Sequence, residues 1–455
     1  MYVAPEIETA PRERLRALQG ERLRQIVLYA YERVPFYRRK FDEAGIHPSR
    51  IVSLDDLPRL PFTRKSDFRD NYPFGLLAVP REQLARVHAS SGTTGKPTIV
   101  CYTRADLDIF GEVMARSLAA GGARPGMLLH NAYGYGLFTG GLGFHQGGER
   151  LGMVVVPVST GVTERQITLI QDLKPEVISC TPSYAQTLAE EFRRRGIPPE
   201  AISLQHAFLG AEPWTETIRK DVEAGLGVTA CNTYGLSEII GPGVSQECIE
   251  ERAGSHIWED HFLPEIVDPD DGTPLPDGAE GELVLTTLTR EAQPVIRYRT
   301  GDLTYLFREP CRCGRTHVRM GPIRGRTDDM LIVRGVNLYP TRIEELLTAF
   351  PELAPHYQLV VDRKETLDEL DLRIELTEET FRSIGQAVLS EEIIATDQRL
   401  RQLRERVVRR IVDAIGLRVG VQIMAPGAIP RSEGGKLRRV VDLRALQQTG
   451  VRSGS

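Results

Sequence analysis

Long apolar runs are missing from this 455-residue sequence: no stretch reaches the roughly 18 apolar residues that a membrane-spanning helix needs. The opening residues, Met1 to Arg16, interleave Glu6, Glu8 and Glu13 with Arg12, Arg14 and Arg16, so the apolar centre of a secretory leader is missing as well. A cytoplasmic protein with no membrane partner is expected. An excess of basic charge is also absent. The 57 Lys and Arg residues against 62 Asp and Glu leave a formal charge of -5, which gives no whole-chain field to hold nucleic acid. Small-molecule partners are expected instead, and pairing as a homodimer is left open. Cysteine is sparse: six residues, at 101, 180, 231, 248, 311 and 313, are too few and too irregular for the disulfide framework of a secreted scaffold. Internal repeats and low-complexity segments are lacking too.

What is present is a globular composition, 41% hydrophobic and 26% charged, on a chain too long for one ordinary core. Arg12 to Ala30 places Leu15, Leu18, Leu23, Ile26, Val27 and Ala30 at the spacing of an amphipathic helix, which Pro35 stops. Further on, short apolar runs at Leu128–Leu129, Met153–Val158, Val177–Cys180 and Ala207–Leu209 alternate with helical stretches such as Glu164–Lys174 and Tyr184–Arg195. That alternation predicts parallel βαβ units. Pro, Asp and Gly cluster over Thr273–Glu282 and give way to a strand-like run, Leu283–Thr289, predicting a β-rich subdomain. After Gly325 the pattern is strand, helix (Arg342–Ala349), two strands (Gln358–Asp362, Asp371–Leu376) and a charged helix (Gln398–Ile415). The expected fold class is α/β: a large N-terminal α/β domain over 1–326 and a small, mobile C-terminal α+β domain over 327–455.

The most informative segment is Ser90-Ser91-Gly92-Thr93-Thr94-Gly95-Lys96-Pro97. Its glycines let successive N–H groups turn into one concavity lined by hydroxyls and an ammonium, an anion nest suited to polyphosphate. The Walker pattern fails, since two residues rather than four separate the glycines and Pro97 follows the lysine. A Gly/Thr-rich hairpin turn is the alternative reading of this segment alone.

Together with five later motifs, this loop resembles the adenylate-forming superfamily of acyl-CoA ligases, peptide-synthetase adenylation domains and luciferases, over nearly the whole chain. Within it, Asn131-Ala132-Tyr133-Gly134-Tyr135-Gly136-Leu137-Phe138-Thr139-Gly140-Gly141 is similar to the phenylacetate-CoA ligase branch. So are Tyr31-Glu32-Arg33-Val34-Pro35-Phe36-Tyr37 and His256-Ile257-Trp258-Glu259-Asp260-His261. The resemblance implies that Gly210-Ala211-Glu212 and Tyr234-Gly235 hold adenine, the tyrosine offering a ring face. It implies Glu238 as a Mg²⁺ ligand, a hard cation wanting carboxylate oxygen. Asp302, in Tyr298-Arg299-Thr300-Gly301-Asp302, would accept from the ribose hydroxyls. Arg326 would approach ribose or phosphate, and Asp328 would be the hinge between the domains. Lys436, in Pro430-Arg431-Ser432-Glu433-Gly434-Gly435-Lys436, would be the adenylation lysine, its charge offsetting repulsion between carboxylate and α-phosphate.

The activity so implied joins a small aryl acid to coenzyme A in two steps. Carboxylate and MgATP give acyl-adenylate and pyrophosphate, and the thiol then displaces AMP. The segment around Arg334-Gly335-Val336-Asn337 would meet the pantetheine arm, Gly335 allowing close backbone approach. The acyl pocket is expected from Tyr133, Phe138, Ile240 and Pro242, apolar or aromatic residues that would exclude water from a ring. Departures at Phe144, Gln146, Gly148 and Ser159-Thr160-Gly161 leave the acid open between phenylacetate, benzoate, a hydroxylated aryl acid and another arylacetate. A carrier-protein phosphopantetheine is left open as acceptor. A P-loop kinase is disfavoured by the failed Walker spacing, and a binding-only protein would not need Lys436.

Cys248, His256, Cys311 and Cys313 supply three thiolates and an imidazole, the donors of a closed structural zinc site. Cys-x-Cys before Gly314 resembles a knuckle turn. His261 or His317 could stand in for His256, and free buried thiols are the alternative reading.

Overall fold

The structure, a computed structural model, describes residues 1–90, 97–327, 331–333, 336–364, 367–385, 388–431 and 439–443. Its described residues divide into two units, 1–212 with 222–323, and 213–221 with those from 324 onward. The first opens on a short helix, Pro5–Glu8, followed by the amphipathic helix Arg12–Arg33, which buries Leu15, Leu23, Ile26, Val27 and Ala30. Pro35 ends that helix and also begins the next, Pro35–Glu43, because at the first helical position its missing N–H would have had no partner.

Strands β1 (Arg86–Ser90) and β2 (Thr98–Tyr102) form an antiparallel hairpin that flanks residues 91–96, Ser90 facing Thr98. Five parallel strands follow: β3 (Leu128–Asn131), β4 (Val154–Val156), β5 (Val177–Cys180), β6 (His206–Gly210) and β7 (Thr229–Leu236). Between them lie the helices Thr139–Leu151, Thr163–Leu173 and Pro182–Arg194. All four residues of β5 are buried, as expected of parallel strands covered on both faces, and this is why they read as short continuous apolar runs.

Antiparallel strands extend the sheet through β8 (Gly241–Glu247) and β9 (Ser255–Ile257). Next in the chain, β10 (Phe262–Val267), β11 (Gly281–Thr287) and β12 (Tyr298–Thr304) pair antiparallel as the β-rich part, β11 overlapping the expected Leu283–Thr289 run but starting and ending two residues earlier. With β13 (Leu306–Phe307) and β14 (Arg319–Met320), the main sheet runs β13-β14-β9-β8-β7-β6-β5-β3-β4. Its functional consequence is that the ends of β6 and β7 lie side by side, Gly210 opposite Thr233.

The second unit holds β15 (Gly325–Arg326), the β16 (Leu331–Val333) and β17 (Val336–Leu338) pair, and the helix Pro340–Leu347. Strands β18 (Leu353–Lys364), β19 (Leu367–Leu376), β20 (Gly420–Met424) and β21 (Val440–Asp442) make a sheet in the order β20-β19-β18-β21. The helix Gln398–Ile415 begins where the Asp397 side chain accepts the N–H groups of Arg399 and Leu400, a standard N-cap arrangement. It buries Leu400, Leu403, Val407 and Ile411 in a core shared with Leu359, Val361, Leu372 and Ile374. Among the described residues, no helix is long and apolar enough to cross a membrane.

Candidate active site

At the end of β6 a Cβ on Gly210 would lie 2.0 Å from the carbonyl oxygen of Thr233, so only glycine fits. Ala211 follows at φ 70°, a left-handed conformation that costs a non-glycine residue energy and turns the chain out of the strand. Glu212 then accepts the Ser183 N–H at 3.3 Å, at the first turn of the Pro182–Arg194 helix, where a carboxylate is stabilised by the helix dipole. The Tyr133 hydroxyl donates to the Gly210 carbonyl at 3.2 Å, and its ring stacks on Phe144 with centroids 5.1 Å apart. Burial pushes the Tyr133 hydroxyl well above its ordinary range, so it acts as a neutral donor.

Tyr234, in β7, and Asp302, in β12, are the residues that the family resemblance assigns to adenine and ribose. They meet: the tyrosine hydroxyl donates to Asp302 Oδ2 at 2.6 Å. Asp302 is 6% exposed, and the turn that carries it is fixed from several sides. Its own N–H donates to Thr300 Oγ1 at 3.0 Å, while Gly301, at φ 80°, donates its N–H to Glu282 Oε1 at 2.9 Å. Arg299 closes an ion pair on the same Glu282. Gly235 follows Tyr234 in β7 and pairs with Pro242 of β8. Glu238 sits in the turn from β7 to β8, 6% exposed. Among the described residues no hydrogen bond or ion pair engages its carboxylate. A carboxylate with no protein partner suits a hard divalent cation.

The remaining pocket residues sit around the start of the Thr139–Leu151 helix. Ile240 is fully buried and its carbonyl accepts the Tyr102 hydroxyl at 2.9 Å, whereas Phe138 and Pro242 are half-buried. Sequence reasoning gave no role to Asn131, yet it ties this region together. Its Nδ2 donates to the Tyr135 hydroxyl (2.6 Å) and the Gly141 carbonyl (2.8 Å). Its Oδ1 accepts from the Tyr133 N–H and the Ser179 hydroxyl. That uses both donors and both lone pairs of the amide, and a polar amide at the end of an otherwise apolar strand was the available signal.

Ser90 ends β1 with its hydroxyl buried and without a partner among the described residues, and Arg326 lies half-buried in β15. Ser91, Gly92, Thr93, Thr94, Gly95, Lys96, Asp328, Gly335 and Lys436 lie outside the described residues.

Comparison with known proteins bears on these placements. Residues 10–288 match the AMP-binding enzyme family and residues 335–444 match the AMP-binding enzyme C-terminal domain. A phenylacetate-coenzyme A ligase from Thermus thermophilus is 69% identical over 98% of this chain and 100% of its own length. One from Escherichia coli is 52% identical over 97% of each. The chain belongs to the phenylacetate-coenzyme A ligase family. Among solved structures, 2-hydroxyisobutyryl-CoA ligase in its postadenylation state with 2-HIB-AMP superimposes with a TM-score of 0.86. It is 33% identical and is matched over 98% of this chain and 94% of that one.

This phenylacetate-coenzyme A ligase family member also carries a second cluster. The donor atoms of Cys248, His256, Cys311 and Cys313 all lie within 4.8 Å of one another, and all four residues are buried. Cys248 and Cys311 sulfurs are 3.5 Å apart, and Cys313 Sγ is 3.3 Å from His256 Nε2. A tetrahedral zinc about 2.3 Å from each thiolate would set sulfurs roughly 3.8 Å apart, within a few tenths of an ångström of the spacing seen. His256 Nδ1 donates to the His317 carbonyl at 3.2 Å, which leaves Nε2 as the lone-pair nitrogen aimed at the thiols. Hydrogen bonding within the cluster drives Cys248 up and Cys313 down as acids, so the group already favours a thiolate.

The other two histidines are otherwise engaged. His317 Nε2 donates to the Ile7 carbonyl and its Nδ1 accepts the Glu259 N–H. His261 faces Thr289 and Asp260.

Proposed function

We propose that the protein activates an aryl carboxylic acid, phenylacetate first among them, as its acyl-adenylate and transfers the acyl group to coenzyme A. The observation that carries this is the Tyr133 hydroxyl on the Gly210 carbonyl, 3.2 Å. One side chain thereby joins the loop expected to line the acid pocket to the segment expected to hold adenine, which suits a reaction that brings a carboxylate to an α-phosphate. Carboxylate oxygen attacks the α-phosphorus and pyrophosphate leaves. The coenzyme A thiol, losing its proton, then attacks the acyl carbon and AMP leaves. No protein nucleophile is needed.

In this reading Tyr234 and Asp302 orient the nucleoside, and Ser90 with residues 91–96 cradles the phosphates. Arg326 assists at ribose or phosphate. Glu238 would hold Mg²⁺, which supplies charge neutralisation at the phosphates. Lys436 offsets the developing charge during adenylation. Asp328 is the hinge of the C-terminal domain, and Gly335 meets the pantetheine arm. Cys248, His256, Cys311 and Cys313 would hold zinc in a structural role, away from the reaction. A cytoplasmic setting, where ATP and coenzyme A are supplied, belongs to the same reading.

The test is release of AMP and pyrophosphate with MgATP and coenzyme A across phenylacetate, benzoate and hydroxylated arylacetates, with the thioester detected by mass. Phenylacetate should give AMP and its thioester in equal amounts. AMP release with another acid, or without a coenzyme A thioester, would replace the substrate or the acceptor. Lys436→Ala is expected to lower adenylate formation by at least a hundredfold while leaving thioester formation from preformed adenylate mostly intact. Equal loss of both steps would remove the lysine from this role.

A further inference from the structure

Leu137 is held through its backbone. Its side chain is 63% exposed, yet its carbonyl accepts two hydrogen bonds from consecutive residues of β1. One comes from the Ala89 N–H at 2.9 Å and one from His88 Nδ1 at 3.0 Å. A carbonyl oxygen can only accept, so Nδ1 carries the proton and Nε2 the lone pair. Among the described residues Nε2 is buried without a partner, in a residue 1% exposed whose ring packs edge-on against Tyr102. Contact with Tyr102 alone would be served by an apolar side chain, with no unmatched nitrogen to bury. What histidine adds at this position is the bond to Leu137. Burial lowers the basicity of the imidazole, so the ring stays neutral in the tautomer that makes this bond.

We infer that His88 is a positioning residue that couples the nucleotide and acid sites by clipping β1, which leads into residues 91–96, to the loop that carries Phe138. The inference rests on the aryl-acid ligase reading. An acid seated beside Phe138 bears on the 134–138 loop. The clip passes that restraint to the strand entering the phosphate segment, so each ligand tightens the other by the same factor. The role of His88 was not visible in the sequence, where it lies two residues before the first residue of the glycine-rich motif.

The experiment measures the dissociation constant of α,β-methylene-ATP with Mg²⁺, with and without saturating phenylacetate. It uses the wild type and His88→Ala, His88→Asn and His88→Gln, with melting curves to confirm folding. In the wild type the acid should tighten the analogue roughly tenfold, within the usual range of coupling between sites. His88→Ala should reduce that to about twofold or less. The amide nitrogen of asparagine stands where Nδ1 stood, so His88→Asn should restore most of the coupling, whereas His88→Gln, which reaches toward the Nε2 position, should not. Full coupling in His88→Ala, or His88→Asn no better than His88→Ala, would overturn the clip. So would a wild type without coupling that still releases AMP. A wild type that releases no AMP from any acid would overturn the ligase reading as well.

Discussion

At Gly210 the space left for a side chain is smaller than a methyl group, since the Thr233 carbonyl lies 2.0 Å from where a Cβ would stand. The obstructing atom belongs to the backbone of the neighbouring strand and cannot rotate away. Gly210→Ala is therefore expected to cost about 1–3 kcal/mol, the usual range for overpacking, read as a lowered denaturation midpoint. Nucleotide affinity should fall with it, because the Gly210 carbonyl anchors the Tyr133 hydroxyl. Tyr234 offers the opposite case, a contact that can be deleted without a clash. Tyr234→Phe removes the hydroxyl donated to Asp302 and keeps the ring. A hydrogen bond to a charged group contributes about 1.5–3 kcal/mol, so a rise of roughly tenfold in the KM for ATP is expected with the fold intact. An unchanged KM would show that Tyr234 acts through its ring alone.

Among elements, the Cys311–His317 turn gathers more than its cysteines. The Tyr2 hydroxyl donates to the Cys313 carbonyl, and Arg315 donates to Glu8 and to the Met1 carbonyl. The Thr316 N–H donates to the Glu8 carbonyl. Glu8 and Arg315 are both almost wholly buried as an ion pair; removing one partner of such a pair is far more damaging than the net worth of the pair. The knuckle is thus the floor on which the first residues of the chain lie, and a metal there would stabilise two segments at once. Cys311→Ser with Cys313→Ser is expected to lose bound zinc, lower the melting temperature and open the first ten or so residues to protease. Metal content measured by atomic emission decides it. A wild-type protein purified gently and found free of zinc would remove the site.

For the whole molecule the consequence of burying histidine is a pH dependence with a definite sign. Burial takes His261 from its ordinary 6.5 to about 4, against the opposing pull of Asp260, with Arg116, Glu112 and Arg22 also facing it. Between those two values the unfolded chain binds a proton that the folded chain refuses, so stability falls as pH falls from 6.5 toward 4. The loss from this residue is on the order of 3 kcal/mol. Asp260 responds later. Burial raises its carboxyl, but the charges of His261 and Arg116 outweigh that and hold it below the usual carboxylate range, so its contribution is lost only below about pH 4. Urea denaturation at pH 7, 5.5 and 4.5 should show a steady decline that His261→Gln makes shallower, the remainder coming from His88, His130, His206 and His317, whose basicity burial also lowers. An unchanged midpoint over that range would mean that the imidazole is not kept neutral.

Legibility from sequence follows the range of the interactions concerned. Local pattern located the helix over Arg12–Ala30, the apolar run of β5 and the Gln398–Ile415 helix, because these depend on neighbours close in the chain, whereas Gly210, Tyr234 and Asp302 were legible only through the resemblance of their motifs to a known family. The four metal-ligand types could be named from their chemistry. What the sequence by itself determined is which residues this protein has available for phosphate, ring and metal. Only the tertiary structure decided that Tyr234 meets Asp302, that His256 rather than His261 or His317 faces the thiols, and that His88 reaches the Leu137 carbonyl. Each of those contacts joins segments far apart in the chain, and strand order and the few ångströms between neighbouring elements set them, quantities that no local pattern encodes.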